Sequence, residues 1–100
     1  MSGTLHLIAF PPSRHDLLAL LRSTLMPEDQ LLLMESAVLM AGAGVAAEQA
    51  RAAWAGHRCH VIEDDLTALG IRPVPGIDAI SWVEAIALSE QLPRSLSWWP

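Results

Sequence analysis

The chain reads as an α/β fold: one small domain with a mostly parallel sheet of four to five strands and helices packed against it. Four short apolar runs lead there: Leu5–Ala9, Leu31–Met34, Cys59–Ile62 and Ile77–Ile80. None alternates apolar with polar residues, as a strand with one wet face would, so they suit strands covered on both sides. The first three runs are followed by helix-like stretches, and the fourth runs directly into one at Ser81. The order βαβαβαβα implies right-handed crossovers between parallel neighbours.

Each element has its own signals. Leu5–Ala9 opens as a strand, and Pro11-Pro12 stops it. Ser13 followed by Asp16 resembles a capping box, and the helix it starts runs over about Arg14–Leu25. Leu17, Leu21 and Leu25 share one face of that helix, and Pro27 ends it. Gln30 leads into the second strand. After Glu35-Ser36 the residues are small and apolar and predict a helical turn, a break at Gly42–Gly44, and a helix through Trp54. The third strand spans His57–Ile62. Glu63-Asp64-Asp65 then puts three acids on the first turn of a short helix, where the dipole favours negative charge, and Gly70 stops it. Arg72–Gly76 is a loop. Ile77–Ile80 is the fourth strand, and Ser81 with Glu84 forms a capping box for a helix to about Gln91. Pro93 ends it, and Arg94–Pro100 is read as a tail.

Bulk composition narrows the function classes. Charged residues make up 17% of the chain, against about 25% in typical soluble domains, which suggests that part of its apolar surface is covered by another chain. There is no lysine, with six arginines against eleven acids and a net charge of −5. Phosphate neutralisation drives nucleic-acid affinity, so direct nucleic-acid binding by this chain alone is not expected. One cysteine rules out an internal disulfide. Met1–Phe10 lacks a basic start and a small-residue cleavage pattern, and Leu31–Ala47 is interrupted by Glu35, Ser36 and two glycines. Neither a signal peptide nor a membrane span is expected, and the expected location is cytoplasmic.

Few residues carry candidate chemistry. Gly42-Ala43-Gly44-Val45-Ala46-Ala47 matches the dinucleotide pattern G-x-G-x-x-A, with acids about 20 residues on at Glu63–Asp65. Seven residues separate it from the preceding strand, however, and a helix break at a close backbone contact fits better. Cys59 could be a persulfide carrier if Arg58 and His60 activated it, but strand alternation turns both away, so a small buried hydrophobe is expected. His57, Cys59 and His60 fail as a metal site on the same alternation, and neither metal nor cofactor is expected. His6 and His15 read as surface or rim histidines. Glu35 and Ser36 sit at the carboxyl end of a central strand, where open α/β sheets bind ligands; site edge and loop-capping pair are both open readings. Trp98-Trp99-Pro100 is an unusual tail, because exposed indoles are costly. Trp98, Trp99 and Trp82 are therefore candidate interface or packing residues.

Several segments together resemble the TusB/DsrH family of small sulfur-relay subunits. They are Leu5-His6-Leu7; Pro11-Pro12-Ser13; Leu31-Leu32-Leu33-Met34-Glu35-Ser36-Ala37-Val38; Val61-Ile62-Glu63-Asp64-Asp65-Leu66-x-x-Leu69-Gly70-Ile71; Ile80-Ser81-Trp82 with Leu88; and Ser97-Trp98. The resemblance implies a DsrE-like three-layer domain over residues 1–100. It also implies a heterohexamer with two paralogous subunits of the TusC/DsrF and TusD/DsrE types, two copies of each. One branch of such complexes relays persulfide sulfur toward 2-thiolation of tRNA wobble uridine; another serves sulfur oxidation. The main acceptor cysteine belongs to the TusD/DsrE-type subunit. Some oxidising-branch members also carry a cysteine in the first helix of this subunit, but His15–Thr24 has none. Ser36-Ala37 stands where the family more often shows Asp-Gly. The expectation is a non-catalytic, accessory subunit of the thiolation relay. The alternatives are a subunit of the oxidation relay, a thiol carrier using Cys59, and a small nucleotide-binding domain using Gly42–Gly44.

Overall fold

The computed structural model describes residues 2–100. Five strands, β1 (Thr4–Ile8), β2 (Gln30–Leu33), β3 (Cys59–Ile62), β4 (Asp78–Ile80) and β5 (Arg94–Trp98), form one sheet in the order β4-β3-β2-β1-β5. Every neighbouring pair is parallel. The helices are α1 (His15–Thr24), α2 (Val45–Arg51), α3 (Glu63–Leu69) and α4 (Trp82–Gln91), with 3-10 stretches at Glu35–Ala41 and Ala52–Trp54.

Topology decides which helix covers which face. From β1 to β4 the chain steps across the sheet in one direction, so α1, α2 and α3 fall on one face. There Leu18, Leu21, Val38, Met40, Ala50 and Leu66 pack on Ile8, Leu31, Leu33, Val61 and Trp98. Reaching β5 means recrossing the whole sheet to lie beside β1, and this reversal carries α4 to the other face. Ala85, Leu88 and Leu92 in and after α4 cover Leu5, Leu32, Ile62 and Ile80 there. The three layers are thus unequal, with three helices on one side and one on the other.

Local expectations hold in most places. Ser81 Oγ accepts from the Glu84 N–H, and the Glu84 carboxylate accepts from the Ser81 N–H, closing the capping box of α4. Gly70 ends α3 in the left-handed region at φ 66°. Two expectations are corrected. Ser13 does not cap α1: the helix starts at His15, so Arg14 takes the cap position, and its guanidinium forks onto Asp16. Most of the tail is a strand. Arg94, Leu96 and Trp98 face one way and Ser95 and Ser97 the other, the period-two pattern of a half-covered edge strand.

Candidate functional site

Because the sheet is wholly parallel, the carboxyl ends of all strands lie along one edge, and all five sequence-predicted candidates line it. Glu35 follows β2 with a left-handed φ of 51°, a conformation costing a non-glycine residue about 1 kcal/mol or more. It is held there because its N–H donates to Asp65 Oδ2, at 2.8 Å, on the first turn of α3. Ser36 Oγ donates to the Ala9 carbonyl at the end of β1. The pair therefore ties together the ends of β1 and β2 and the start of α3, leaving the exposed Glu35 carboxylate facing outward.

Trp82 opens α4 beside the gap where the connections leaving β3 and β4 part to opposite faces. In open α/β sheets that parting is where ligands bind. Trp98 and Trp99 stand at the opposite flank, Trp98 as the last residue of β5 and Trp99 just after it. The flanks are four strand spacings apart, roughly 19 Å, so the five residues share an edge without converging on one point. They also differ in burial: Trp98 is 9% exposed, Trp82 44% and Trp99 58%.

A buried polar network explains Trp98. Its Nε1–H donates to His6 Nδ1 at 3.0 Å, and His6 Nε2 lies 2.8 Å from Asp29 Oδ2. An indole only donates, so His6 Nδ1 carries no hydrogen and Nε2–H points to the carboxylate. Asp29 also accepts from the N–H groups of Thr4 and Met26. Burial alone would raise the Asp29 carboxyl, but the bonds from His6, Met26 and Thr4 together hold it below its ordinary value. His6 is thus a core residue, 1% exposed, and its reading as a surface or rim histidine is corrected. The missed signal was its place inside a strand covered on both faces, where an imidazole needs partners. Beside the network lies an open hollow of about 400 Å³, lined by Thr4, Thr24, Met26 and Arg94 among others. Both ring nitrogens and both carboxylate oxygens are already occupied, so Arg94 brings the only charge in its lining that is not already paired within the network.

Cys59 begins β3, at the amino edge, a strand's length from the five candidates. It is buried, and burial pushes its thiol up to about 12; Arg51 opposes the shift and Asp78 adds to it. Arg58 reaches Asp78 on the surface, and His60 points to the other face, where its Nε2 lies 2.9 Å from Gln30 Oε1. Burial, with Arg58 nearby, holds His60 below the usual imidazole value, while Asp78 acts against them. Nothing here favours a thiolate. Among the described residues, no group of three His, Cys, Asp or Glu side chains stands close enough to hold a metal.

The Gly42–Gly44 motif is separated from β2 by the 3-10 stretch Glu35–Ala41. A Cβ on Gly42 would come 3.2 Å from Ile71 Cγ2, and the carbonyls of Met40 and Gly42 accept from Arg51. The motif is a packed bend, not a strand-to-helix phosphate cradle.

One further feature is an apolar stripe on the outer side of α4. Ala85, Leu88 and Leu92 give the spacing that faces the sheet, and Trp82, Val83 and Ile86 give a second stripe facing outward. Val83 is 77% exposed and Ile86 58%.

The family profile described as "DsrH like protein" matches residues 11–94. The chain belongs to the DsrH-like family, the group of sulfur-relay subunits that its motifs resemble. Among solved structures, the ychN protein from E. coli is similar with a TM-score of 0.74 and 15% identity, covering 98% of this chain and 100% of that one. That likeness concerns the fold. No curated protein matches the chain. Among the described residues, no helix is long and apolar enough to cross a membrane.

Proposed function

We propose that this chain is a non-catalytic subunit of a cytoplasmic sulfur-relay complex that passes persulfide sulfur toward 2-thiolation of tRNA wobble uridine. Its partners in the complex are two paralogous DsrE-like subunits, of the TusC/DsrF and TusD/DsrE types. Family membership supports the relay, and the state of Cys59 supports the accessory role. A persulfide carrier must ionise its thiol and meet a donor, and this thiol is sealed and protonated. The outward stripe Trp82, Val83 and Ile86 supports cover by another subunit, since monomers rarely leave such patches bare.

The test is co-expression with the neighbouring paralogues, native mass spectrometry of the purified complex, and measurement of thiolated wobble uridine. Cys59→Ser should leave both assembly and thiolation at wild-type levels, and Val83→Glu with Ile86→Glu should release the subunit. Loss of thiolation in an intact Cys59→Ser complex defeats the accessory reading. A complex that assembles normally without changing wobble-uridine thiolation defeats the tRNA assignment.

A further inference from the structure

We infer that the free edge of β5 is a self-complementary docking strand, and that its occupant is β5 of a second copy of this chain, paired antiparallel about Leu96. β5 closes one side of the sheet, with β1 as its only strand neighbour among the described residues. Arg94 through Ser97 are exposed. Sheet proteins protect such edges with charged side chains, an internal proline, a bulge or a covering element. This strand has only one charge, Arg94 at its first position; its prolines flank it at Pro93 and Pro100, and the register with β1 runs unbroken from Arg94 to Trp98.

The backbone sets the register of any added strand. The Ala9 N–H donates to the Trp98 carbonyl. N–H and C=O of one strand residue point to the same side, and the side alternates along the strand. Arg94, Leu96 and Trp98 therefore turn their main-chain groups to β1, and Ser95 and Ser97 turn theirs to the open edge. Antiparallel pairing about Leu96 sets Ser95 opposite Ser97 of the second copy, so both outward-facing residues become hydrogen-bonded pairs. Leu96 then meets Leu96 of the second copy as the closer, non-hydrogen-bonded pair on the axis.

The side chains agree with that register. Arg94 falls opposite Trp98 of the second copy, a cation beside an indole. Parallel in-register pairing would set Arg94 against Arg94, and like charges directly opposite destabilise a pair. Two-fold pairing also closes on itself, joining two five-stranded sheets without leaving a further β5 edge. This contact is independent of the cover proposed for α4, which concerns a face of the sheet and not its edge.

The experiment uses the full chain alone, with single cysteines added on β5 and the sealed Cys59 left in place. Leu96→Cys should cross-link into a disulfide dimer under mild oxidation, because directly opposed Cα atoms in such a pair lie about 4.5 Å apart, within disulfide reach. Ser95→Cys, whose symmetry mate lies out of register, should cross-link at least about tenfold less. Ser97→Pro removes an outward donor without touching the β1 ladder. It should raise the dimer dissociation constant at least about tenfold in sedimentation equilibrium, with far-UV circular dichroism unchanged. Two results overturn the inference: a monomeric wild type at 100-micromolar concentration (on the order of the weak end of specific association), or equal cross-linking at positions 95 and 96. If Ser97→Pro fails to fold, the comparison of positions 95 and 96 alone decides the register.

Discussion

Replacing Trp98 with Phe keeps an aromatic ring over β1 and removes one hydrogen-bond donor. In the native chain the indole N–H sits 3.0 Å from His6 Nδ1, and His6 is only 1% exposed. With the donor gone, the ring nitrogen is left as a buried acceptor without a protein partner. That costs about 1–3 kcal/mol, and the smaller ring adds some lost packing, so about 2 kcal/mol is expected. For a domain of this size each kcal/mol moves the midpoint by about 4–8 °C, which predicts a fall of about 8–16 °C in thermal unfolding. Trp99→Phe is the control: its ring is largely exposed, so a change within about 0.5 kcal/mol is expected. Hydrogen exchange reads the same bond directly, since the Trp98 indole proton should be protected and that of Trp99 should not. A fall of less than about 3 °C for Trp98→Phe, or equal exchange at the two indoles, would show that the network does not hold β5 to β1.

Three further outcomes follow from the same geometry. With its thiol at about 12, Cys59 at pH 8 is ionised in about one molecule in ten thousand, whereas an ordinary thiol near 8.5 is about a quarter ionised. Alkylation by iodoacetamide should thus proceed only as fast as the protein unfolds, and rapid labelling of the native chain refutes the sealed thiol. Asp29 has a native value held below its ordinary 3.8, so its contribution is complete above the unfolded value and is lost as pH falls through the native one. Urea midpoints should drop below about pH 4, and Asp29→Asn should start lower at pH 7 and drop less; parallel curves for the two proteins would refute the linkage. Glu35→Gly relieves a left-handed backbone while keeping the N–H that donates to Asp65. It should raise stability by up to about 1 kcal/mol in urea unfolding, and a loss of stability would place an unseen role on the Glu35 side chain.

The sheet and its helices were largely legible because burial on both faces writes continuous apolar runs and α4 carries its capping box in plain letters. Ser13-x-x-Asp16 misled because a cap is a matter of where the helix starts, and Arg14 with Asp16 moved the start inward. Arg94–Trp98 was hidden by its content: three of its five residues are polar, and only the alternation of Leu96 and Trp98 against two serines marks a strand. The His6–Asp29–Trp98 network joins positions 23 and 92 residues apart, and no local pattern encodes such a meeting. Glu35 and Ser36 read from sequence as the carboxyl end of a strand, yet their bonds to Asp65 and Ala9 depend on which ends the sheet order brings together. The tryptophans illustrate the same limit, since Trp98 and Trp99 are adjacent in sequence and opposite in burial.

The pairing of Thr4 with Arg94 also bears on how the protein is made. A ribosome delivers β1 well before β5, so the edge of β1 that β5 covers must wait, unmated, while the residues between them are made. Contacts of such long sequence separation form late and slow folding. Loss of β5, by truncation before Arg94 or by a protease, would strip β1 of its mate. Chaperone dependence and rapid turnover of chains that lack β5 are the cellular marks to expect.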